Sequence, residues 1–284
     1  SGTTGKPKCI IHRAAGILLK LRVEQRYSFD IKQGDKIFFF TTCGWMMWNW
    51  LVYILGSGAS IFLYDGNPMF PRAERLIDIA ESEKITKLGL SAKYIDSIRK
   101  SGISPKNTHN LKSLETIMST GSVLVPESFD YVYSEIKGNV HLASMSGGTD
   151  ICGCFIAGIP TQPVYRGEIQ GPCLGTAAEV FDENGQPASP NIKGELVCTV
   201  PFPSMPIGFW GDSDGSKYRA AYFEGFPNVW THGDFASRSE VGGFTMYGRS
   251  DATLNSKGVR IGTAEIYRVV ETFPEISEAM AVAQ

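Results

Sequence analysis

A chain of 284 residues with a net charge of −2, 43% hydrophobic and 20% charged, has an ordinary globular composition and the length for one large domain or two smaller ones. That near-neutral balance gives no electrostatic case for nucleic acid or a membrane surface as partner. The most hydrophobic region, Ile37 to Tyr64, is interrupted by Thr41-Thr42, Cys43-Gly44, Asn49 and Gly56-Ser57-Gly58, too often to span a bilayer. The six cysteines form no paired C-x-x-C framework and read as buried, reduced thiols, which points to a cytosolic setting.

In chain order, Ser1-Gly2-Thr3-Thr4-Gly5-Lys6-Pro7-Lys8 comes first. Two glycines allow a tight turn close to a ligand, and the hydroxyls and lysines suit phosphate oxygens. It is not a Walker loop, because only Thr3 and Thr4 separate Gly2 from Gly5 and Pro7 follows Lys6. Alone, such a run is also an ordinary surface loop. A phosphate loop needs a rigid element on each side, so the sequence reads as a piece of a longer protein, cut just before this loop.

Lys8–His12 then reads as a short strand and Ala14–Arg26 as a helix, with Ile17, Leu18, Leu21 and Gln25 at helical spacing. Strands are predicted at Asp35–Phe40, Ala59–Tyr64, Thr86–Leu90, Leu114–Met118 and Val140–Ala143. Helices are predicted at Met47–Leu55, Pro71–Lys84, Ala92–Lys100 and Glu127–Ile136. Strands alternating with helices make an α/β fold, a mostly parallel sheet flanked by helices, with ligands at the carboxyl ends of the strands. Near Tyr165 the pattern changes. Strand-like runs at Ala177–Phe181, Glu195–Val200, Phe235–Ser239 and Phe244–Met246, with one short helix at Lys217–Tyr222, predict a smaller β-rich, antiparallel unit. Thr263 reads as the N-cap of a helix at Ala264–Glu271, and Ile276–Ala283 as a further strand.

Four later stretches can carry chemistry. In Ser119-Thr120-Gly121-Ser122-Val123, the glycine lets a flat group lie against the backbone. In Ser146-Gly147-Gly148-Thr149-Asp150, a hydroxyl beside a carboxylate suits a phosphate oxygen and its Mg²⁺. In Trp230-Thr231-His232-Gly233-Asp234, an aspartate beside glycine can accept both hydroxyls of a ribose. Gly248-Arg249-Ser250-Asp251, with Lys257-Gly258-Val259-Arg260-Ile261, places two arginines for ribose or phosphate beside glycines that can act as hinges. Each alone is a plain loop or turn. The four histidines read as packed or solvated rather than catalytic.

Taken in order, these motifs, with Gly194-Glu195-Leu196, resemble the adenylate-forming superfamily of acyl-CoA synthetases, luciferases and peptide-synthetase adenylation domains. The resemblance implies residues 1–164 as the α/β part and 165–250 as a β-rich subdomain of an AMP-binding domain, with 251–284 a hinge and the start of a C-terminal lid. It implies ATP, CoA and Mg²⁺ as co-substrates and ion. Thr3, Thr4 and Lys6 would close over the β- and γ-phosphates, and Gly121, Ser122 and Val123 would line adenine. Thr149 would touch the α-phosphate and Asp150 would hold Mg²⁺, although Asp150 stands where most relatives have glutamate. Asp234 would hold the ribose, and Arg249 ribose or phosphate, with Arg260 a second such arginine. Asp251 would be the hinge, and Gly258 would border the pantetheine tunnel. Cys43-Gly44-Trp45-Met46-Met47-Trp48-Asn49-Trp50 and Lys217-Tyr218-Arg219-Ala220-Ala221-Tyr222-Phe223 resemble members that activate acetoacetate rather than acetate. There Trp45, Met46, Met47 and Gly147 would line the acyl pocket. Gly147 falls where acetate-activating relatives place a pocket-closing tryptophan, and its lack of a side chain would open room for a longer acid. The lysine that stabilises the first transition state in this superfamily would lie beyond Gln284. Three readings stay open: activation of acetoacetate, activation of another short or medium acid, and nucleotide binding without turnover.

Overall fold

The computed structural model describes residues 8–250 and, beyond them, 254–256, 259–261, 266, 269, 270, 273 and 276. β1 (Ile10–Ile11) leads into α1 (Ala14–Ser28). Then come β2 (Lys36–Phe39), α2 (Met46–Tyr53), β3 (Ser60–Phe62), α3 (Arg75–Ser82), β4 (Lys87–Ser91) and α4 (Ala92–Lys100). A short α5 (Pro105–Thr108), β5 (Thr116–Thr120), α6 (Pro126–Tyr131) and β6 (His141–Ser144) complete the α/β portion. Its five strands pair in parallel in the order β3-β2-β4-β5-β6.

Period-two alternation divides this sheet between two cores. Phe38, Leu88, Leu90, Ile117 and Leu142 pack with Leu76, Ile95, Ile98 and Phe129 from α3, α4 and α6. The opposite residues Ile37, Phe39, Met118 and Ala143 pack with Leu21, Trp50 and Leu51 from α1 and α2. Gly89 belongs to this second face, where a Cβ would sit 1.9 Å from the Phe39 ring, so its missing side chain is the space Phe39 fills.

The remaining strands are antiparallel. β7 (Ser146–Gly148), β8 (Gly153–Ala157) and β9 (Gly171–Pro172) form one small sheet. β10 (Ala178–Phe181), β11 (Gly194–Cys198), β12 (Gly208–Phe209), α7 (Ser216–Phe223), β13 (Trp230–Arg238) and β14 (Phe244–Arg249) follow. Of these, β10-β11-β13-β14 form a four-stranded sheet, and β12 pairs with β1. β15 (Leu254–Ser256) and β16 (Val259–Ile261) make a hairpin. Phe155, Phe202, Tyr222, Trp230 and Phe244 lead a third core, in which Tyr222 stacks on Trp230 at 3.8 Å.

Most elements lie where the sequence predicts them; the exceptions have local causes. α3 begins at Arg75 rather than Pro71, because the Ala73 carbonyl accepts the Tyr94 hydroxyl at 2.7 Å instead of starting a helical ladder. The helix predicted at Glu127–Ile136 is α6 followed by a wider π-helical turn at Val132–Ile136. Strand β8 has no counterpart among the predicted elements; all five residues are buried, so no polar alternation marks it. Only Cys154, Cys173 and Cys198 are buried. Cys152 is half-buried, Cys9 and Cys43 are exposed, and all six are free thiols. The cap predicted at Thr263 lies outside the described residues. Of the elements expected beyond it, only Ile266, Val269, Val270, Phe273 and Ile276 are described. Among the described residues no helix is long and apolar enough to cross a membrane.

One polar cluster lies inside the second core. Lys20 and Glu24, one turn apart on α1 and 1% exposed, form an ion pair at 3.0 Å. Glu24 also accepts the Trp50 indole N–H of α2 at 2.8 Å and the Cys154 backbone N–H of β8 at 2.8 Å. Burial works against the Lys20 charge; the Cys173 sulfur and the Glu24 carboxylate outweigh it and hold the ammonium above the usual lysine range. A single carboxylate thus joins α1, α2 and β8.

Candidate functional site

The carboxyl ends of β5 and β6 open into a cleft of about 430 Å³, closed on its other side by the antiparallel sheet. Thr120 to Val125 form one wall, Ser144 to Gly147 a second, and Asp234, Met246, Gly248 and Arg249 a third. Gly121 takes φ +93°, in the left-handed region that a side chain would strain, and this folds the loop after β5 back over the cleft. The cleft therefore sits where ligands enter parallel α/β sheets.

β13 delivers Asp234 through a bulge. From Glu195↔Phe235 to Val197↔Thr231 the pairing advances two residues on β11 but four on β13, and Gly233 takes φ +83° within the excess. Asp234 is 8% exposed, with its Oδ1 3.9 Å from the Arg249 guanidinium, its register partner on β14. Beneath this pair lies Glu195. Its Oε1 accepts the Gly233 N–H at 3.0 Å and the Ser250 hydroxyl at 2.9 Å. Glu195 thereby links the root of Asp234 to the residue after Arg249. Burial pushes its carboxyl up to about 7, against the two hydrogen bonds and the Arg249 charge; nearby Asp234 adds to the rise.

That shift predicts a pH dependence. The folded state holds the Glu195 proton more tightly than the unfolded chain. The corresponding stability is complete below about 4.5 and is lost as pH rises to about 7. Glu195→Gln removes it: the variant gains on the wild type, by on the order of 2 kcal/mol, between acid and mildly alkaline pH. Urea midpoints for both proteins at four pH values across this range test it, and parallel profiles would count against it.

A second group stands at the other end of the β7–β8 hairpin. Asp150 is buried, and its Oδ1 accepts the Lys8 ammonium at 3.1 Å and the Tyr222 hydroxyl of α7. Lys8 also lies 4.9 Å over the Tyr222 ring. Burial raises the Asp150 carboxyl, and the Tyr222 hydroxyl and Lys8 ammonium outweigh it, holding it below the usual aspartate range. The same burial and the carboxylate push Tyr222 upward. Thr149 is exposed in the turn of the hairpin. Lys8, Asp150, Tyr222, His232 and Arg249 line a larger cavity of about 850 Å³. Among the described residues no group of three or more His, Cys, Asp or Glu forms a ready metal cage. A lone carboxylate still suits Mg²⁺, which keeps waters and takes its other ligands from phosphates.

The structure thus brings Gly121, Ser122, Val123, Gly147, Asp234 and Arg249 to one cleft, with Asp150 and Arg249 on the adjoining cavity. For the expected acyl pocket the geometry adds two observations. Trp45, Met46 and Met47 do not line this cleft. Trp45 is 59% exposed at the start of α2, while Met46 and Met47 pack against the core cluster that contains the cleft residue Met145. Gly147 lines the cleft with its backbone, but a Cβ there would lie 2.0 Å from the Gly153 carbonyl oxygen and 2.5 Å from the Cys154 Cα. Its missing side chain is space taken by strand β8, not room for a ligand. Thr3, Thr4, Lys6, Asp251 and Gly258 lie outside the described residues; for Arg260 only the backbone, in β16, is described. The sequence reading gave no individual role to Glu195, Tyr222 or His232, and offered Lys8 only as one of two lysines suited to phosphate oxygens. Each earns its place through a partner far along the chain, 142 residues for Lys8–Asp150 and 72 for Tyr222–Asp150, which no local pattern signals.

Residues 1–205 match the family described as AMP-binding enzyme. The chain belongs to that family. It is 56% identical to the acetoacetyl-coenzyme A synthetase of Rhizobium meliloti (strain 1021) and 49% identical to the acetoacetyl-CoA synthetase of Xenopus tropicalis, each across the whole chain. It covers 44% and 42% of those proteins. The solved acetoacetyl-CoA synthetase from Streptomyces lividans superposes with a TM-score of 0.90 at 44% identity, over 98% of this chain and 43% of that one. The chain therefore spans less than half the length of the relatives it matches.

Proposed function

We propose that this chain carries the nucleotide- and acid-binding part of an enzyme that joins acetoacetate to CoA at the expense of ATP. The observation that carries the reading is the cleft at the ends of β5 and β6, where a left-handed glycine loop faces a buried aspartate and its arginine partner, in a chain 56% identical to an acetoacetyl-coenzyme A synthetase. Acetoacetate attacks the α-phosphate of ATP, giving acetoacetyl-AMP and pyrophosphate. The thiol of CoA then attacks the acyl carbon and releases AMP. No side-chain nucleophile is required; the protein aligns the reactants and balances charge on phosphate.

On this reading Gly121, Ser122 and Val123 hold adenine, Asp234 accepts the ribose hydroxyls, and Arg249 balances the Asp234 charge beside them. Thr149 and Arg249 face the α-phosphate, with Thr3, Thr4 and Lys6 at the β- and γ-phosphates. Asp150 would hold Mg²⁺ together with phosphate oxygens and water. The ion supplies neutralisation of triphosphate charge. Lys8 shares the Asp150 carboxylate and keeps it ionised. Residues 1–164 and 165–250 would make the two parts of the AMP-binding domain, and 251–284 would lead from the Asp251 hinge toward a lid, with Gly258 bordering the path of CoA and Arg260 a second arginine for ribose or phosphate.

The direct test is acid-dependent exchange of pyrophosphate into ATP by the intact enzyme, with acetoacetate, acetate and butyrate compared. Exchange fastest with acetoacetate supports the reading. Equal rates, or a faster rate with another acid, move the assignment to a different acid, and no exchange with any acid removes it. At the ribose, Asp234→Asn should weaken AMP about 10- to 100-fold, the loss of a charge-assisted bond. It should weaken 2′-deoxy-AMP less, because one of the two hydroxyls is already gone. Titration calorimetry reads both, and an equal loss for the two nucleotides would exclude this role for Asp234.

A further inference from the structure

His232 is 6% exposed, on β13 between Thr231 and the bulge glycine. Its ring is fixed from three sides. Phe155 meets it edge to face at 4.8 Å. Trp230 Nε1 lies 3.4 Å from its Nδ1. The backbone of Gly148 passes so close that a Cβ there would sit 3.2 Å from Nε2. An indole N–H can only donate, so Nδ1 accepts and Nε2 carries a hydrogen. Among the described residues that buried Nε2–H has no hydrogen-bond partner. The nearest carboxylate oxygen, Asp234 Oδ2, is 3.6 Å away, beyond hydrogen-bond reach.

A buried donor held this firmly and left without an acceptor is uncommon in native proteins and calls for an explanation. Its surroundings indicate the acceptor. His232 lines the larger cavity with Lys8, Arg249 and Asp150, and its Nε2 edge borders the strand that runs directly into Thr149 and Asp150. Two cations and an N–H donor there favour an anion. Asp182, Glu183, Glu195 and Glu224 also line this cavity, so the anion is placed by the Nε2–H itself, which lies against Gly148. We infer that His232 is a phosphate-binding residue, whose Nε2–H donates to an oxygen of the phosphate attached to the nucleoside. The inference rests on the reading of the cleft as a nucleotide site.

Affinities of the intact enzyme for AMP and for adenosine separate this role from a structural one. His232→Asn sets its side-chain carbonyl where Nδ1 accepts from Trp230 and leaves nothing at the Nε2 position. His232→Gln returns an N–H close to Nε2. The expected result is a 10- to 100-fold weaker AMP affinity in H232N, adenosine affinity within twofold of wild type, and recovery of most of the AMP affinity in H232Q. In the wild type with ¹⁵N-labelled histidine, the Nε2–H proton resonance should move downfield with AMP and stay in place with adenosine. This readout needs no variant to fold. Equal weakening of both ligands in H232N would overturn the inference, since the ring would then act only by packing or through Asp234. An unmoved resonance with AMP bound would overturn it as well. If the wild type bound neither ligand, the nucleotide reading of the cleft would fall first and this inference with it. Binding of both, with no dependence on position 232, would remove this inference alone.

Discussion

Glu24→Ala should lower the stability of the fold by about 3–5 kcal/mol, the range for breaking a buried ion pair from one side. Three groups lose their acceptor together. Lys20 keeps a charge at 1% exposure with its carboxylate gone, and Trp50 Nε1 and the Cys154 N–H are left without partners in the second core. Lys20→Met should cost less, because Glu24 would keep both N–H donors, and methionine can fill the lysine stem's volume. The order of the two variants is thus the sharper expectation. Urea midpoints at neutral pH measure it. A Lys20→Met loss equal to or above that of Glu24→Ala would show that the ammonium, not the carboxylate, organises the cluster. The effect should reach the site, since Cys154 pairs with Gly147 in the wall of the cleft.

Neither Lys20 nor Glu24 stands out in the sequence. They sit at an i,i+4 spacing that usually marks a solvated helix face, and only the packing of α2 and β8 over α1 puts them inside. The parallel sheet was legible because its signals are local. Apolar runs, turn glycines and helical spacing recur in order, and α4 starts and stops at Ala92 and Lys100 as predicted, with the Ser91 hydroxyl accepting the Tyr94 N–H. Strand β8 was not legible. Gly-Cys-Phe-Ile-Ala is buried on both faces, so its pattern carries no period. The roles of Gly121, Gly147, Asp234 and Arg249 were implied by the family resemblance; Gly121 follows β5 and Arg249 ends β14, whereas Asp234 lies mid-strand at a bulge that no local pattern marks. The pairs that tune the site, Lys8 with Asp150, Tyr222 with Asp150 and Glu195 with Ser250, join distant segments and become visible only in the folded chain.

Gly147→Ala should cost about 3 kcal/mol or more, and Gly147→Trp should not give a folded protein in good yield. The new Cβ would lie 2.0 Å from the Gly153 oxygen, 2.5 Å from the Cys154 Cα and 2.8 Å from the Gly153 carbonyl carbon. All three are backbone atoms of the neighbouring strand or its first turn, and none can swing aside as a flexible side chain could. β7 and β8 must separate, and the separation pulls on Cys154, whose N–H is held by Glu24 on the far side. The methyl group of Gly147→Ala points into β8 rather than into the cleft, so the folded fraction of that variant should keep its preference among acids. Thermal midpoints give the stability loss, and pyrophosphate exchange with acetoacetate and acetate gives the preference. A Gly147→Trp protein with an unchanged midpoint and a preference moved toward acetate would contradict the strand pairing described here. If acid and nucleotide share this cleft, as proposed, side chains that reach it would set the room for the acid. Met145 is the nearest such case: it lines the cleft and belongs to the cluster on which Met46 and Met47 pack. Methionine is unbranched and yields to its neighbours.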